Sequence, residues 1–206
     1  MASEWYETPA GVVQVWGPIC PEKLRTLRMD PTLSHFRPAQ RQHQALINIA
    51  LRAGSRIYIV QHQDVIVGYM TFHVPEPIEG WDTQAAPSLL ELGGIEVAPA
   101  WRGFGLGHAL HRVAFGNDWI EDYIIFSTEY YWSWDLKGSG LSVWDYRHIM
   151  KKVMDRVGLV QYPTNDPDIC SHPANMLTAR IGSRVPLEEV EAFHYMRQHR
   201  YHLKTN

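Results

Sequence analysis

Between Val97 and Leu110 the chain reads VAPAWRGFGLGHAL, and no other stretch restricts its fold so tightly. The run Leu89–Val97 before it is apolar and β-prone. After it, Leu106, Leu110, Val113 and Ala114 recur at helical spacing, so the glycines join a strand to a helix running from about Gly105 to Gly116. Three phosphate-binding turns share this layout. A P-loop requires Lys followed by Ser or Thr after the glycines, and none follows. The dinucleotide fingerprint requires a third glycine three residues after the second. That place holds His108 when counted from Gly103 and Gly105, and Leu110 when counted from Gly105 and Gly107. What remains is Arg102-Gly103-Phe104-Gly105-Leu106-Gly107, with His108 beside it at the helix start. Such glycines admit an anion close to the backbone, and unpaired amides at the helix start point toward it. Arg102 adds charge-assisted hydrogen bonds.

The elements around this turn alternate between strand and helix. Val12–Trp16 reads as a short strand, Pro21–Met29 as a turn or two of helix, and Gln40–Arg52 as a helix opened by Pro38. Arg56–Gln61 and Val65–Val74 form a hairpin, followed by a long loop marked by Pro75, Pro77, Gly80 and Pro87. Tyr123–Thr128 is a buried-type strand, Ser142–Val157 a helix ended by Gly158, and Leu159–Tyr162 a last core strand. A Pro/Asn/Asp-rich turn, an apolar run Met176–Ile181 and a helix after Pro186 complete the chain. The order suggests a mixed sheet flanked by helices, with a core over 1–162 and an extension, 163–206, packed on it.

At 45% hydrophobic and 20% charged residues, the composition is that of an ordinary globular protein. A net charge of −3 with scattered basic residues gives no electrostatic reason to expect nucleic acid or a membrane. No signal peptide is read at the start, no apolar run approaches transmembrane length, and Cys20 and Cys170 are isolated, so a reducing, cytoplasmic setting is expected. Oligomeric state is not fixed by the sequence.

The strand, Pro, Arg-Gly and helix in this order closely resemble the acyl-CoA-binding signature of the GNAT acetyltransferase superfamily, over roughly residues 10–162. The resemblance implies an α+β (α/β/α) fold, with a mixed, mostly antiparallel central sheet flanked by helices. Its fourth and fifth strands, Leu89–Val97 and Tyr123–Thr128, would splay around the pantetheine of acetyl-CoA. Backbone groups near Ile95 and Val97 would pair with the pantetheine amides, and amides of residues 103–108 would cradle the pyrophosphate. Four stretches, HFRP (35–38), ELGGIEVAPAWRGFGLG (91–107), TEYYWSWDLKGSGLSVWDYR (128–147) and SHPANMLTARIG (171–182), are similar to a branch of that superfamily, the acetoin-utilisation acetyltransferases. This implies a protein lysine acetyltransferase whose partner is acetyl-CoA synthetase, inactivated by acetylation of an active-site lysine.

Amide formation needs a neutral amine, and a lysine with a pKa of about 10.4 must lose a proton first. Glu91 and Glu96 are the acids on the strand that would carry the thioester. Strict alternation puts them on opposite faces, whereas a bulge at Gly93-Gly94 would bring them to one. By its distance before Arg102, Glu91 matches the base of related protein acetyltransferases, and Glu96 is the second choice. The family's usual acid, a Tyr about four residues before the glycine ending the later helix, is replaced by Met154. Tyr146, two turns earlier, is the substitute, with Tyr130 and Tyr131 as further candidates. Trp132, Trp134 and Asp135 are candidates for lining a lysine channel, the rings around the aliphatic stem and the carboxylate near the ammonium. A packed aromatic cluster is the competing reading. His108 and His111 lack further ligands for a metal, and none is expected. Two other functions share the CoA-binding features: acetylation of a small-molecule amine, and acyl-CoA sensing without catalysis.

Overall fold

The structure is a computed structural model that describes residues 2–200 of the 206. Its internal contacts divide the chain into two units, residues up to His73 with Leu92–Asp118, and Val74–Glu91 with the rest from Trp119.

In the first unit, β1 (Ala2–Thr8) pairs antiparallel with β2 (Gly11–Gly17). After α1 (Pro21–Thr26), the two-residue β3 (Arg28–Met29) and α2 (Ala39–Ala50) come β4 (Arg56–His62) and β5 (Val65–His73). Strand β4 lies between β2 and β5, antiparallel to both, while β3 runs parallel to β5. Ile57, Tyr58, Ile59 and Val60 are all fully buried, so β4 is covered on both faces, and both α2 and α3 (Leu106–Phe115) pack on it. Between β5 and α3 in the chain lies β6 (Leu89–Val97), whose residues from Leu92 onward belong to this unit. The Ala98 amide donates to the Val67 carbonyl at 2.9 Å, which ties the end of β6 to β5.

The second unit starts from the other end of β6, where Leu89, Leu90 and Glu91 pair in parallel with Ile124, Ile125 and Phe126 of β7 (Ile124–Glu129). The short α4 (Leu136–Ser139) and α5 (Val143–Asp155) lead to β8 (Val160–Tyr162). A turn of helix, α6 (Pro167–Cys170), precedes β9 (Met176–Ile181), and α7 (Leu187–Gln198) follows. Strand β9 is antiparallel to β7 on one side and to β8 on the other. The boundary expected at 162/163 therefore falls between two strands that hydrogen-bond each other. The segment after it supplies a strand inside the sheet, because Leu177 and Ala179 share a buried cluster with Phe126, Phe193 and Met196. Its last residues, 201–206, lie outside the described part.

Antiparallel pairing dominates, so the fold is α+β with a mixed, largely antiparallel open sheet flanked by helices. Among the described residues, no helix is long and apolar enough to cross a membrane.

Candidate active site

The glycine turn leaves β6 at Val97, passes through a 3₁₀ turn at Pro99–Trp101 and enters α3. Trp101 is buried and packs against the His62 ring, which anchors the turn from below. Gly103 and Gly105 sit at φ +83° and +77°, a region side chains disfavour. A Cβ added at Gly103, Gly105 or Gly107 would meet no atom within 4 Å. These glycines are therefore not demanded by packing; they leave open space over their backbone. Gly105 occupies the N-cap position of α3 and offers no side-chain acceptor to the first turn. Leu106, Ala109, Leu110, Val113 and Ala114 are buried and fix the helix, while Phe104 is partly exposed.

Arg102 turns back, its Nε donating to the Val97 carbonyl at 2.8 Å. Ile95 and Val97 are both half-buried. His111 is buried, with Nδ1 2.9 Å from the Gly107 carbonyl and Nε2 enclosed without a partner. Burial pushes its pKa down to about 4, so at neutral pH it is uncharged and must donate through Nδ1. Among the described residues, no group of three or more His, Cys, Asp or Glu is arranged to hold a metal.

The two candidate bases have different surroundings. Glu96 is buried, and both oxygens are occupied: Oε1 accepts from the His35 amide at 3.0 Å and Oε2 from the Tyr69 hydroxyl at 2.8 Å. Burial, and after it the negative charge of Glu96, raises the Tyr69 hydroxyl far above its ordinary pKa. Glu91 is half-buried, and its Oε2 is enclosed without a hydrogen-bond partner. Glu79, from the 3₁₀ turn Pro77–Glu79, is the acid that acts most strongly on its charge. Burial first, and then the negative charge of Glu79, pushes the Glu91 carboxyl up to about 8.

The aromatic stretch splits by role. Trp134 is buried and donates Nε1–H to Glu129 Oε2 at 3.1 Å, while Ser127 donates to Oε1 at 2.9 Å. Glu129, at the end of β7, is a buried acid that sequence reasoning missed, and burial raises its pKa. The only hint was an acid closing the apolar run Ile124–Glu129 before a row of aromatics. Tyr146 is half-buried with its ring stacked on Trp134, centroids 5.2 Å apart. Asp135 caps α4 by accepting from the Gly138 amide at 2.9 Å. Trp132 is 56% exposed and stacks on Tyr130, so of the expected channel residues it is the one presented to solvent. Met154, at the family's usual acid position, is fully buried.

Comparison with known proteins agrees with this geometry. Residues 22–134 match the acetyltransferase (GNAT) family. The chain is 48% identical over 193 residues to the acetoin utilization protein AcuA of Bacillus licheniformis, covering 94% of this chain and 92% of that one. It is 45% identical over 196 residues to AcuA of Bacillus subtilis, covering 95% and 93%. The crystal structure of the acetoin utilization protein from Exiguobacterium sibiricum superposes with a TM-score of 0.92 at 48% identity, over 97% of this chain and 95% of that one. The open glycine turn at the start of α3 is thus found in a chain akin to these proteins throughout, and the chain belongs to the GNAT acetyltransferase family and is an N-acetyltransferase.

Proposed function

We propose that this enzyme takes its acetyl group from acetyl-CoA and places it on a lysine of a protein, acetyl-CoA synthetase being the expected partner. The observation that carries the cofactor assignment is the open backbone at Gly103, Gly105 and Gly107, at the uncapped start of α3. Amides of residues 103–108 would receive the pyrophosphate there, Arg102 and His108 would add polar contacts, and the edge of β6 near Ile95 and Val97 would hold the pantetheine. Acetyl-CoA supplies an activated thioester carbon.

The chain's own groups do the rest. Glu91 accepts the proton that the lysine nitrogen loses as its bond to the acetyl carbon forms. Tyr146 returns a proton to the departing CoA sulfur as the carbon–sulfur bond breaks. Trp132, exposed beside Tyr130 and Tyr131, presents an aromatic surface to the incoming chain. The choice of synthetase rests on similarity to the acetoin-utilisation proteins and on the four sequence stretches shared with that branch. Both acetyl-CoA and such a synthetase belong to the cytoplasm, where this reading puts the enzyme.

The test is incubation of the purified enzyme with labelled acetyl-CoA and folded acetyl-CoA synthetase, followed by mapping of the modified residue. One labelled active-site lysine and loss of synthetase activity are expected. Rapid acetylation of a free polyamine with no labelling of the synthetase would replace this reading with a small-amine acetyltransferase.

A further inference from the structure

We infer that Glu129 is a positioning residue: by accepting from Trp134 it fixes the indole against which the Tyr146 ring is stacked, and so aims the acid of the reaction without touching substrate or cofactor. The inference rests on the reading of Tyr146 as that acid.

Ser127 and Glu129 are two residues apart on β7, so their side chains leave the sheet on one face. Opposite them on β9 are Thr178 and Met176. Met176 shares a buried cluster with Trp134 and Ala174, bordered by Val143, Tyr146 and Met150 of α5. A carboxyl is costly to bury in such surroundings, and an apolar side chain of the same size would fill the space. What the carboxyl adds is direction. The indole has a single N–H, which Glu129 Oε2 accepts at 3.1 Å, while Ser127 donates to Oε1 at 2.9 Å. Packing alone would let the indole turn about its Cβ–Cγ bond; the hydrogen bond selects one orientation. A neutral carboxyl holds it as well as an ionised one, since Oε2 stays an acceptor when the proton sits on Oε1.

The backbone leaves the indole little other freedom. Trp134 closes the 3₁₀ turn Tyr131–Ser133, its amide donating to the Tyr131 carbonyl at 3.3 Å. The Tyr131 amide in turn donates to Oδ1 of the buried Asn175 at 3.0 Å. The Tyr146 ring lies 15° from the indole plane, with centroids 5.2 Å apart. Tyr146 itself belongs to the first turns of α5, where Ser142 caps the helix by accepting from the Asp145 amide. The phenol thus hangs from a fixed helix start, and the plane of its ring follows that of the indole. A proton donor works only when aimed at the departing sulfur, and a small misplacement costs rate more than affinity.

The test needs readouts that a merely structural contact would not move. The Trp134 indole N–H resonance, identified by its loss in Trp134→Phe, reports the bond in the intact enzyme without substrate. Its exchange with solvent should be at least about tenfold faster in Glu129→Met and stay slow in Glu129→Gln, whose amide oxygen still accepts. Turnover is read by thiol release from acetyl-CoA with folded acetyl-CoA synthetase as acceptor, or spermidine if the synthetase takes no acetyl group. Glu129→Met should lower kcat about tenfold or more with KM for acetyl-CoA unchanged, and Glu129→Gln should recover most of the rate. Trp134→Phe breaks the same bond from the other side and serves if the methionine variant does not fold. In a Tyr146→Phe background the loss should vanish, because no hydroxyl is left to aim. An unchanged kcat in both Glu129→Met and Trp134→Phe, or an equal loss with and without the Tyr146 hydroxyl, overturns the positioning role. Full turnover by Tyr146→Phe overturns instead the assignment of Tyr146 as acid, and the inference falls with it.

Discussion

The Tyr69 hydroxyl donates to Glu96 Oε2 at 2.8 Å, and with the His35 amide on Oε1 it leaves this carboxylate with both oxygens engaged inside the first unit. Glu96 thereby ties the segment entering α2 to β6. Glu96→Gln should remain folded, bind acetyl-CoA and turn over. The new NH₂ can donate to Tyr69, whose oxygen is also an acceptor, while the amide oxygen keeps His35. Glu96→Ala strands two donors and should cost about 2–4 kcal/mol in chemical denaturation. A stable but inactive Glu96→Gln would return Glu96 to the role of base.

At Gly105 a side chain has room, yet φ is +77° and the space is where an anion would approach. Gly105→Val should abolish acetyl-CoA binding in calorimetry. Gly54 is the control, since it has the same φ of +77° and equally open surroundings. Gly54→Val should cost similar backbone strain, about 1–2 kcal/mol, and leave affinity unchanged. Equal loss of affinity in both would point to strain alone.

Glu91 carries its pH dependence into stability. Its folded pKa, about 8, lies above the unfolded value of 4.5, so the native state binds the proton more tightly. That contribution is complete below pH 4.5 and is lost as the pH climbs toward 8. Glu91→Gln cannot ionise. Its melting temperature should therefore gain on that of the parent steadily between about pH 5 and 8, in thermal scans at matched ionic strength.

His111 has the opposite sign. Its folded pKa of about 4 lies below the ordinary 6.5, so the unfolded chain takes up the proton first as pH falls. Stability should drop between pH 6.5 and 4 by on the order of 3 kcal/mol. His111→Gln, though less stable at neutral pH, should lack that part of the acid dependence. Identical acid profiles for the two proteins would contradict a buried neutral imidazole.

The two tryptophans of the aromatic stretch should separate cleanly. Trp134→Phe removes the donor to the buried Glu129 and should destabilise by about 1–3 kcal/mol. Trp132→Ala, at a position 56% exposed, should leave the melting temperature nearly unchanged and slow acetylation of a protein more than that of a small amine. A large stability loss from Trp132→Ala would mark it as packing.

Much of this was legible where the code is local. Leu89–Val97 followed by the glycine turn announced β6, the turn and α3, because apolar runs, positive-φ glycines and helical spacing all act within a few residues. Strand β1 was not read. Its sequence ASEWYET has only Trp5 and Tyr6 as large apolar residues, and an edge strand paired on one side needs no more. Met176–Ile181 was seen as apolar but not as a strand between β7 and β8, since its partners lie far away in the chain. The site divides in the same way. The glycine turn and the strand glutamates could be named, whereas the burial of Glu129 and the engagement of Glu96 depend on what folds against them. Asp135 was the exception with a local clue, an Asp three residues before Gly138 that fits a helix cap.

The position of β9 bears on how the protein is made. Strand β7 is complete at Glu129, but the edge it offers is not closed until Met176–Ile181 has been synthesised. At about 5–20 residues per second, a ribosome leaves that edge open for seconds. An unpaired strand with the sequence IIFSTE is a template for pairing with another nascent chain, so this interval is when the protein is most exposed to aggregation. Translation pausing between residues 130 and 175 would lengthen the hazard. A chaperone that occupies β7 during that interval would raise the yield of folded enzyme without altering its final stability.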